Sequence, residues 1–306
     1  MKLFPPLILL LTLSSLSVAQ NVRSHYLHRK SDATTSPSVT PTPTSTTTST
    51  LPVSNDQTPT PAVSGDQSLT PPVAGYHLAF SDDFDTLNLS PTGYGAYSWY
   101  PGIWWNSSLP LPSLMTANNS VLNLAWSRNG GGLSNTSVST LAKDGSQGRT
   151  FRYGYFEARM KWDVVNGSWP AFWLIPKQAM NGDQHTGEID IFEGQGSDPR
   201  IFNGTLHEWQ GGNNVWTSSP NWYLLPPDND FSQWHTYAIL WEPGTVTWYY
   251  DGQKLFSFST PSIFDQQDYF VVIGSGVGTQ WVEGNLQGVT ANTINLDVDW
   301  VHVWQR

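Results

Sequence analysis

Short stretches that alternate apolar and polar residues recur along the last three quarters of this chain, and none shows helical periodicity. VLNLAW (121–126) is bounded by Ser, the continuously apolar AFWLI (171–175) is bounded by Pro, and INLDVDWVHVW (294–304) alternates cleanly towards the C-terminus. Asp251-Gly252 is a strong hairpin signal, and Pro243-Gly244 marks a further turn. Many short antiparallel strands without helices predict an all-β fold, a jelly-roll β-sandwich of two antiparallel sheets with a concave cleft for a substrate.

The first 74 residues have a different composition. Residues 1–19 join Lys2, a short apolar run and small residues before Gln20, a pattern that predicts a secretory signal peptide and an extracellular protein. The apolar run is too short to span a bilayer, which disfavours a membrane anchor. Residues 20–74 are rich in Ser, Thr and Pro and predict a disordered linker or stalk. Residues 75–306, roughly 230 in number, suit one all-β domain.

Composition excludes several partners for that domain. The chain has 306 residues, no cysteine and a net charge of -10 with only 12% charged residues, so a large apolar core rather than disulfides has to hold it together. It has no basic stripe, and we expect neither nucleic acid nor a membrane as partner. We expect a monomer. All 16 tryptophans follow residue 98; some must fill the core, while others suit stacking on sugar rings.

The stretch GEIDIFEG (187–194) places three carboxylates close together in a predicted strand. Glu188 and Asp190 share one face of that strand, whereas Glu193 lies at an odd offset and points the other way in a regular strand. A one-residue β-bulge at Ile191-Phe192 would bring Glu193 onto the face of the other two. Three acids facing the core would be strongly destabilising, so the pattern predicts a bulged strand along an open cleft.

Paired carboxylates on one face are what the hydrolysis of glycosidic bonds requires. With retention of configuration, one carboxylate attacks the sugar and a second acid, about 5–5.5 Å away, protonates the leaving oxygen. Strand residues rise by about 3.3 Å each, so curvature and leaning side chains would have to bring Glu188 and Glu193 together. Asp190 between them would hold their ionisation states apart, because neighbouring like charges raise a pKa.

The motif and its surroundings resemble glycoside hydrolases of family 16, which include laminarinases, lichenases and related endo-β-glucanases. GEIDIFE matches the family signature E-x-D-x-x-E in its longer, bulged form. Further segments resemble the family in the same order, so the resemblance covers nearly the whole of residues 75–306: YGYFEARMK (153–161), WPAFWLIP (169–176), HTYAILWEPGTVTWYYDG (235–252) and VDWVHVW (298–304).

The resemblance implies a role for each matching residue. Glu188 corresponds to the nucleophile, Asp190 to the assisting acid and Glu193 to the general acid/base. Residues in the substrate cleft are implied at three further positions, Trp169, Trp173 and His207. The implied activity is that of a secreted, retaining endo-β-glucanase that hydrolyses β-1,3-glucan or mixed-linkage β-1,3/1,4-glucan, with sulfated galactans a less favoured substrate because the chain is acidic.

Two alternatives for the function and one for a metal remain open at this point. A glucan transglycosylase would use the same three carboxylates, with a sugar acceptor in place of water. A non-catalytic β-glucan-binding protein is the alternative from another class. The reaction requires no cofactor, but family members often carry a structural calcium ion, and the resemblance offers Asp83 and Asp299 as its ligands.

Overall fold

The computed structural model describes residues 71–104, 108–128, 136–182, 185–196, 200–220, 223–277, 289 and 291–306. The predicted signal peptide and nearly all of the predicted linker lie outside the described residues. The described part contains sixteen strands and three short 3₁₀ helices, at Pro112–Leu114, Lys177–Asn181 and Phe264–Gln266. None of its helices is long and apolar enough to cross a membrane.

The strands form two antiparallel sheets of eight strands each. In the first sheet the order is β14-β13-β12-β6-β16-β4-β3, and β1 pairs with β16. Its strands are β1 (His77–Asp82), β3 (Met115–Asn118), β4 (Val121–Ser127), β6 (Gly154–Trp162), β12 (His235–Glu242), β13 (Thr245–Tyr250), β14 (Gln253–Ser259) and β16 (Thr293–Gln305).

In the second sheet the order is β10-β9-β8-β7-β15-β5-β2, and β11 pairs with β9. Its strands are β2 (Tyr100–Pro101), β5 (Thr136–Ser139), β7 (Ser168–Pro176), β8 (His185–Glu193), β9 (Ile201–Gln210), β10 (Asn213–Ser218), β11 (Tyr223–Leu224) and β15 (Tyr269–Val277). Because β8 lies in the interior of this sheet, its residues have neighbouring strands on both sides.

The core lies between the two sheets and is built by the inward residues of both. Each strand contributes alternate side chains, such as Phe172 and Leu174 from β7 and Phe156 and Ala158 from β6, all of which are fully buried. The predicted Asp251-Gly252 hairpin joins β13 to β14, and both residues have positive φ, at 47° and 72°. Such values are those of a type I′ turn, whose twist matches that of the strands. The prediction of a two-sheet all-β fold is confirmed.

Candidate active site

The three carboxylates lie on β8, and the register of its neighbours shows how they are oriented. Against β9, Glu188 lies opposite His207, Asp190 opposite Thr205, and Glu193 opposite Asn203. Between Asp190 and Glu193, β8 therefore advances three residues while β9 advances two. Against β7 the same extra residue appears, since Asp190 lies opposite Trp173 and Glu193 opposite Ala171. The predicted β-bulge is confirmed.

The bulge brings Glu193 onto the face that carries Glu188 and Asp190. His207, Thr205 and Asn203 alternate along β9 and so share one face of the sheet, which their partners on β8 must share. The two residues inside the bulge, Ile191 and Phe192, are both fully buried in the core. We call Glu188, Asp190 and Glu193 the carboxylate trio, and the side of the second sheet that carries it the site face.

A tryptophan of the first sheet hydrogen-bonds to the bulged strand from the core side. The indole N–H of Trp248, on β13, crosses the core and donates a 2.9 Å hydrogen bond to the backbone oxygen of Asp190. Gly204 on β9 leaves the room for this indole, because a Cβ there would lie 2.2 Å from Trp248 Nε1. The packing of the core therefore fixes the backbone of the trio.

Each glutamate of the trio accepts a hydrogen bond from an indole. Trp169 donates to Glu193 Oε1 at 3.0 Å, and Trp209 donates to Glu188 Oε2 at 3.0 Å. Charge-assisted bonds of this kind orient a carboxylate and stabilise its ionised form. Trp169 was predicted as a cleft residue, whereas Trp209 was not. Its signal was the period of two in GTLHEW, which puts Trp209 on the same face as His207.

His207 contacts the middle carboxylate of the trio. Its Nε2 lies 3.3 Å from Asp190 Oδ2. Its Nδ1 lies 2.8 Å from Asn214 Nδ2 and 3.1 Å from Thr217 Oγ1, both on β10. With the Asn214 amide donating to Nδ1, the ring proton resides on Nε2, although the geometry there gives no hydrogen bond to Asp190 Oδ2. The imidazole of His207 therefore lies directly beside the middle carboxylate of the trio.

The electrostatics of the trio favour protonated carboxyl groups. Burial first, and then the Asp190 carboxylate, raise the pKa of Glu188 to about 8 and that of Glu193 to about 8, against the lowering influence of His207 and of the indole bonds. Burial also raises the pKa of Asp190 to about 8. Three neighbouring carboxylates with such pKa values cannot all ionise at neutral pH. The site therefore holds protons that an acid catalyst could donate.

The site face is recessed at its centre. Asp190 is only 3% exposed although its side chain lies on this outer face rather than in the core. Trp173 lies opposite Asp190 on β7 and packs with Ile175, Phe270 and Val272 of the same face. Trp104, from the loop after β2, lies against it with ring centroids 6.3 Å apart. An aromatic and aliphatic wall therefore borders the trio.

The two residues that the resemblance offers as calcium ligands lie at the first sheet. Asp299 forms an ion pair with Arg159, and Asp83 Oδ1 lies 3.1 Å from His302 Nε2. Calcium takes six to eight oxygen ligands, yet each of these carboxylates already has a nitrogen partner, and neither belongs to a group of three metal-binding side chains in the described part of the chain. These contacts do not fit a calcium cage, and we derive no role for the ion.

The comparison with family profiles places the chain in a known class of protein. The profile described as "Glycosyl hydrolases family 16" matches residues 113–301, which include the carboxylate trio and most strands of both sheets. This match spans more than half of the chain, and the chain belongs to family 16 of the glycosyl hydrolases.

Among characterised proteins, similar chains carry the names of a β-glycanase and a glucan β-glucosidase. The chain is 28% identical over 260 residues to Endo-1,3-1,4-beta-glycanase EglC of Rhizobium meliloti (strain 1021), covering 72% of this chain and 52% of that protein. It is 28% identical over 174 residues to Glucan endo-1,3-beta-glucosidase A1 of Niallia circulans, covering 51% of this chain and 25% of that protein. The chain thus spans about half or less of these relatives.

Solved structures share the fold. The catalytic domain of an endo-1,3-beta-glucanase (laminarinase) from Thermotoga petrophila RKU-1 matches with a TM-score of 0.62 and 24% identity, covering 76% of this chain and 99% of that one. The protein SCLam, described as a non-specific endo-beta-1,3(4)-glucanase, matches with a TM-score of 0.59 and 22% identity, covering 78% of this chain and 93% of that one. At these identities the likeness establishes the two-sheet architecture alone.

Proposed function

We propose that this chain is a secreted, retaining endo-β-glucanase that hydrolyses β-1,3-glucan or mixed-linkage β-1,3/1,4-glucan by double displacement. The observation that supports this most is the bulge in β8, which puts Glu188, Asp190 and Glu193 on one recessed face of the sheet. The names of the relatives agree with the substrate class, since one is a glucan endo-1,3-beta-glucosidase and the other an endo-1,3-1,4-beta-glycanase.

In the first step of the proposed reaction, Glu188 attacks the anomeric carbon and displaces the leaving sugar. Glu193 donates its proton to the departing glycosidic oxygen, so one C–O bond forms as another breaks. The Trp209 N–H, 3.0 Å from Glu188 Oε2, stabilises the carboxylate for the attack. Burial raises the pKa of both glutamates to about 8; in the proposed reaction Glu193 keeps its proton for the leaving oxygen, and Glu188 is the glutamate that ionises.

In the second step, Glu193 has become a carboxylate and takes a proton from a water molecule. That water attacks the anomeric carbon and releases the sugar from Glu188, which restores both groups. Two inversions give net retention of the anomeric configuration. No step needs an organic cofactor. Beside Glu188, Asp190 raises the pKa of the nucleophile and His207 lowers it.

The direct test is the release of reducing ends by the full chain from a panel of polysaccharides. The panel contains laminarin, mixed-linkage β-glucan, xyloglucan, agarose and carrageenan, because relatives also include a keratan-sulfate endo-1,4-beta-galactosidase and a kappa-carrageenase. We expect release from laminarin, from mixed-linkage β-glucan or from both, with the β-anomer appearing first in the proton NMR spectrum. Release from carrageenan alone would overturn the substrate class.

Two variants make this test specific. Glu188→Gln is expected to abolish release, whereas Glu242→Gln, which removes a carboxylate that pairs with Arg306, is expected to leave it unchanged. Binding of laminarin without release by the wild-type chain would instead favour a glucan-binding protein. Longer products than the starting oligosaccharide would favour a transglycosylase.

Secretion rests on residues 1–19, outside the described residues, and is tested separately. We expect expression in a secreting host to give an extracellular protein whose N-terminus is Gln20, as read by peptide mass mapping. Retention of Met1 in a cell-associated protein would contradict it.

A further inference from the structure

Four histidines of the described residues contact carboxylates, but their surroundings differ. His185 lies 2.7 Å from Glu208, and His235 lies 2.7 Å from Asp251. His302 lies between two carboxylates that approach different ring nitrogens, so these carboxylates cannot converge on one point. Among the described residues, only His207 shares a site with two carboxylates whose oxygen atoms gather around one of its nitrogens.

The gathered atoms come from Glu188, Asp190 and His207, and all lie within 4.8 Å of one another. Asp190 Oδ2 is buried and accepts no hydrogen bond of good geometry from any described residue, although His207 Nε2 is 3.3 Å away. A buried oxygen without a hydrogen bond is costly, and a cation between these atoms would satisfy it.

We propose that Glu188, Asp190 and His207 bind a divalent transition-metal ion of the Zn²⁺ type. One imidazole and two carboxylates are ligands that Zn²⁺ accepts, at about 2.0–2.2 Å each, and three protein ligands leave a fourth position open to the site face. Ca²⁺ and Mg²⁺ prefer sets made only of oxygen, with more ligands than this site offers.

The residues behind His207 can support such a ligand. A metal-bound histidine usually donates its other N–H to an acceptor, which fixes the ring. Thr217 Oγ1 lies 3.1 Å from His207 Nδ1, and Thr217 itself donates to Asn214 Oδ1 at 3.0 Å. Rotation of the Asn214 amide would present its oxygen to Nδ1 and its N–H group to Thr217. Asn214 and Thr217 could then both accept a hydrogen bond from a proton on Nδ1, which leaves Nε2 free to bind the metal ion.

If Glu188 is the nucleophile, as the proposed function has it, a metal ion at this site would regulate hydrolysis. Glu188 cannot attack a sugar while it coordinates a metal ion, so metal binding and catalysis exclude each other. Zn²⁺ therefore inhibits hydrolysis in competition with the glucan, and a chelator restores the activity.

Metal binding is measured first without any glucan, by calorimetric titration of the full chain with ZnCl₂ and by visible absorption with Co²⁺ as the probe. We expect the wild-type chain to bind one equivalent more than His207→Gln, or to bind that equivalent at least about 100-fold more tightly, since even the loss of a supporting residue costs about 10–100-fold. The control His235→Gln removes a histidine with an equally close carboxylate and is expected to keep this equivalent.

The titrations separate the two proposals. Equal binding by the wild-type chain and folded His207→Gln would overturn the metal site, whatever the chain does to glucans. If His207→Gln lacks the native near-ultraviolet circular dichroism, Glu188→Gln takes its place with the same expectation. A chain that binds Zn²⁺ through these residues but hydrolyses none of the polysaccharides would overturn the proposed function and leave the metal site standing.

Discussion

The outer faces of the two sheets carry acidic residues in opposite circumstances. On the first sheet, Asp299 pairs with Arg159 and Asp297 pairs with Lys161, so each carboxylate has a basic partner on the neighbouring strand. On the second sheet, three carboxylates lie together on one strand, and the basic side chain in contact with them is His207, whose Nε2 lies 3.3 Å from Asp190 Oδ2. Acidic residues on the first sheet are therefore paired with basic side chains, whereas those on the second sheet have raised pKa values and hold protons.

This difference teaches how to separate structural from functional acids. Paired charges on a sheet surface cost little and contribute little. Clustered, recessed acids raise each other's pKa and oppose folding, so their persistence needs another reason, and the proposed catalysis is such a reason.

The largest effect is expected when the proposed acid/base residue loses its proton. Glu193→Gln should lower kcat on β-glucan by about 10²–10⁴-fold, the usual contribution of general acid catalysis. An aryl β-glucoside with a good leaving group needs no proton for the first step, so glycosylation from it should suffer much less. Burst kinetics on both substrates measure this, and equal losses on both would contradict the acid role.

A smaller effect is expected when the indole partner of Glu188 is removed. Trp209→Phe deletes a hydrogen bond to a charged group and should lower kcat/KM by about 10–100-fold, since such bonds contribute about 1.5–3 kcal/mol. The bond lowers the pKa of Glu188, so its loss should move the acidic limb of the pH profile of kcat/KM to higher pH.

Trp216→Phe is the matched control for this variant. Trp216 lies on the adjacent strand β10 and packs edge-on against Phe264, 6.4 Å away between ring centroids. Its replacement should leave the acidic limb where it is. A fall in activity for Trp209→Phe with an unmoved limb would mean that Trp209 serves packing alone.

Removing the charge of Glu193 should stabilise the fold at high pH. Because folding raises the pKa of Glu193 from its ordinary 4.5 to about 8, the folded chain binds more protons than the unfolded chain in this range, and stability falls as the pH rises through it. Glu193→Gln should therefore have a higher Tm than the wild-type chain at pH 8, by roughly 2–4 °C for each kcal/mol recovered. The two should converge near pH 4, and a lower Tm at pH 8 would contradict the account.

The smallest effect is expected on the first sheet, with the opposite sign. Asp299→Asn removes the partner of Arg159 and should lower the free energy of unfolding by at most about 1 kcal/mol, because the pair is partly exposed. Activity should not change. Urea denaturation measures the stability and glucan hydrolysis measures the activity. A variant with wild-type stability but impaired activity would contradict the assignment of Asp299 as a structural acid.

The sequence predicted the features that depend on local pattern. Alternation predicted β16, Asp251-Gly252 predicted the hairpin between β13 and β14, and the offset of Glu193 required the bulge that β8 contains. The contacts that the sequence did not predict join residues on strands and loops far apart in the chain. Trp173 is covered by Trp104 from a far earlier loop, and Asp299 meets Arg159 because β16 pairs with β6. The position of Trp209 could have been predicted, since the period of two places it on the same face of β9 as His207.

The most direct test of the central claim is to trap the glycosyl-enzyme. The full chain is incubated with an activated 2-deoxy-2-fluoro glucoside or laminaribioside, and peptides are mapped by mass spectrometry. The account predicts a sugar adduct on Glu188, formed by the wild-type chain and absent from Glu188→Gln. An adduct on Asp190 or Glu193, or turnover of the glucan with inversion and no adduct, would contradict it.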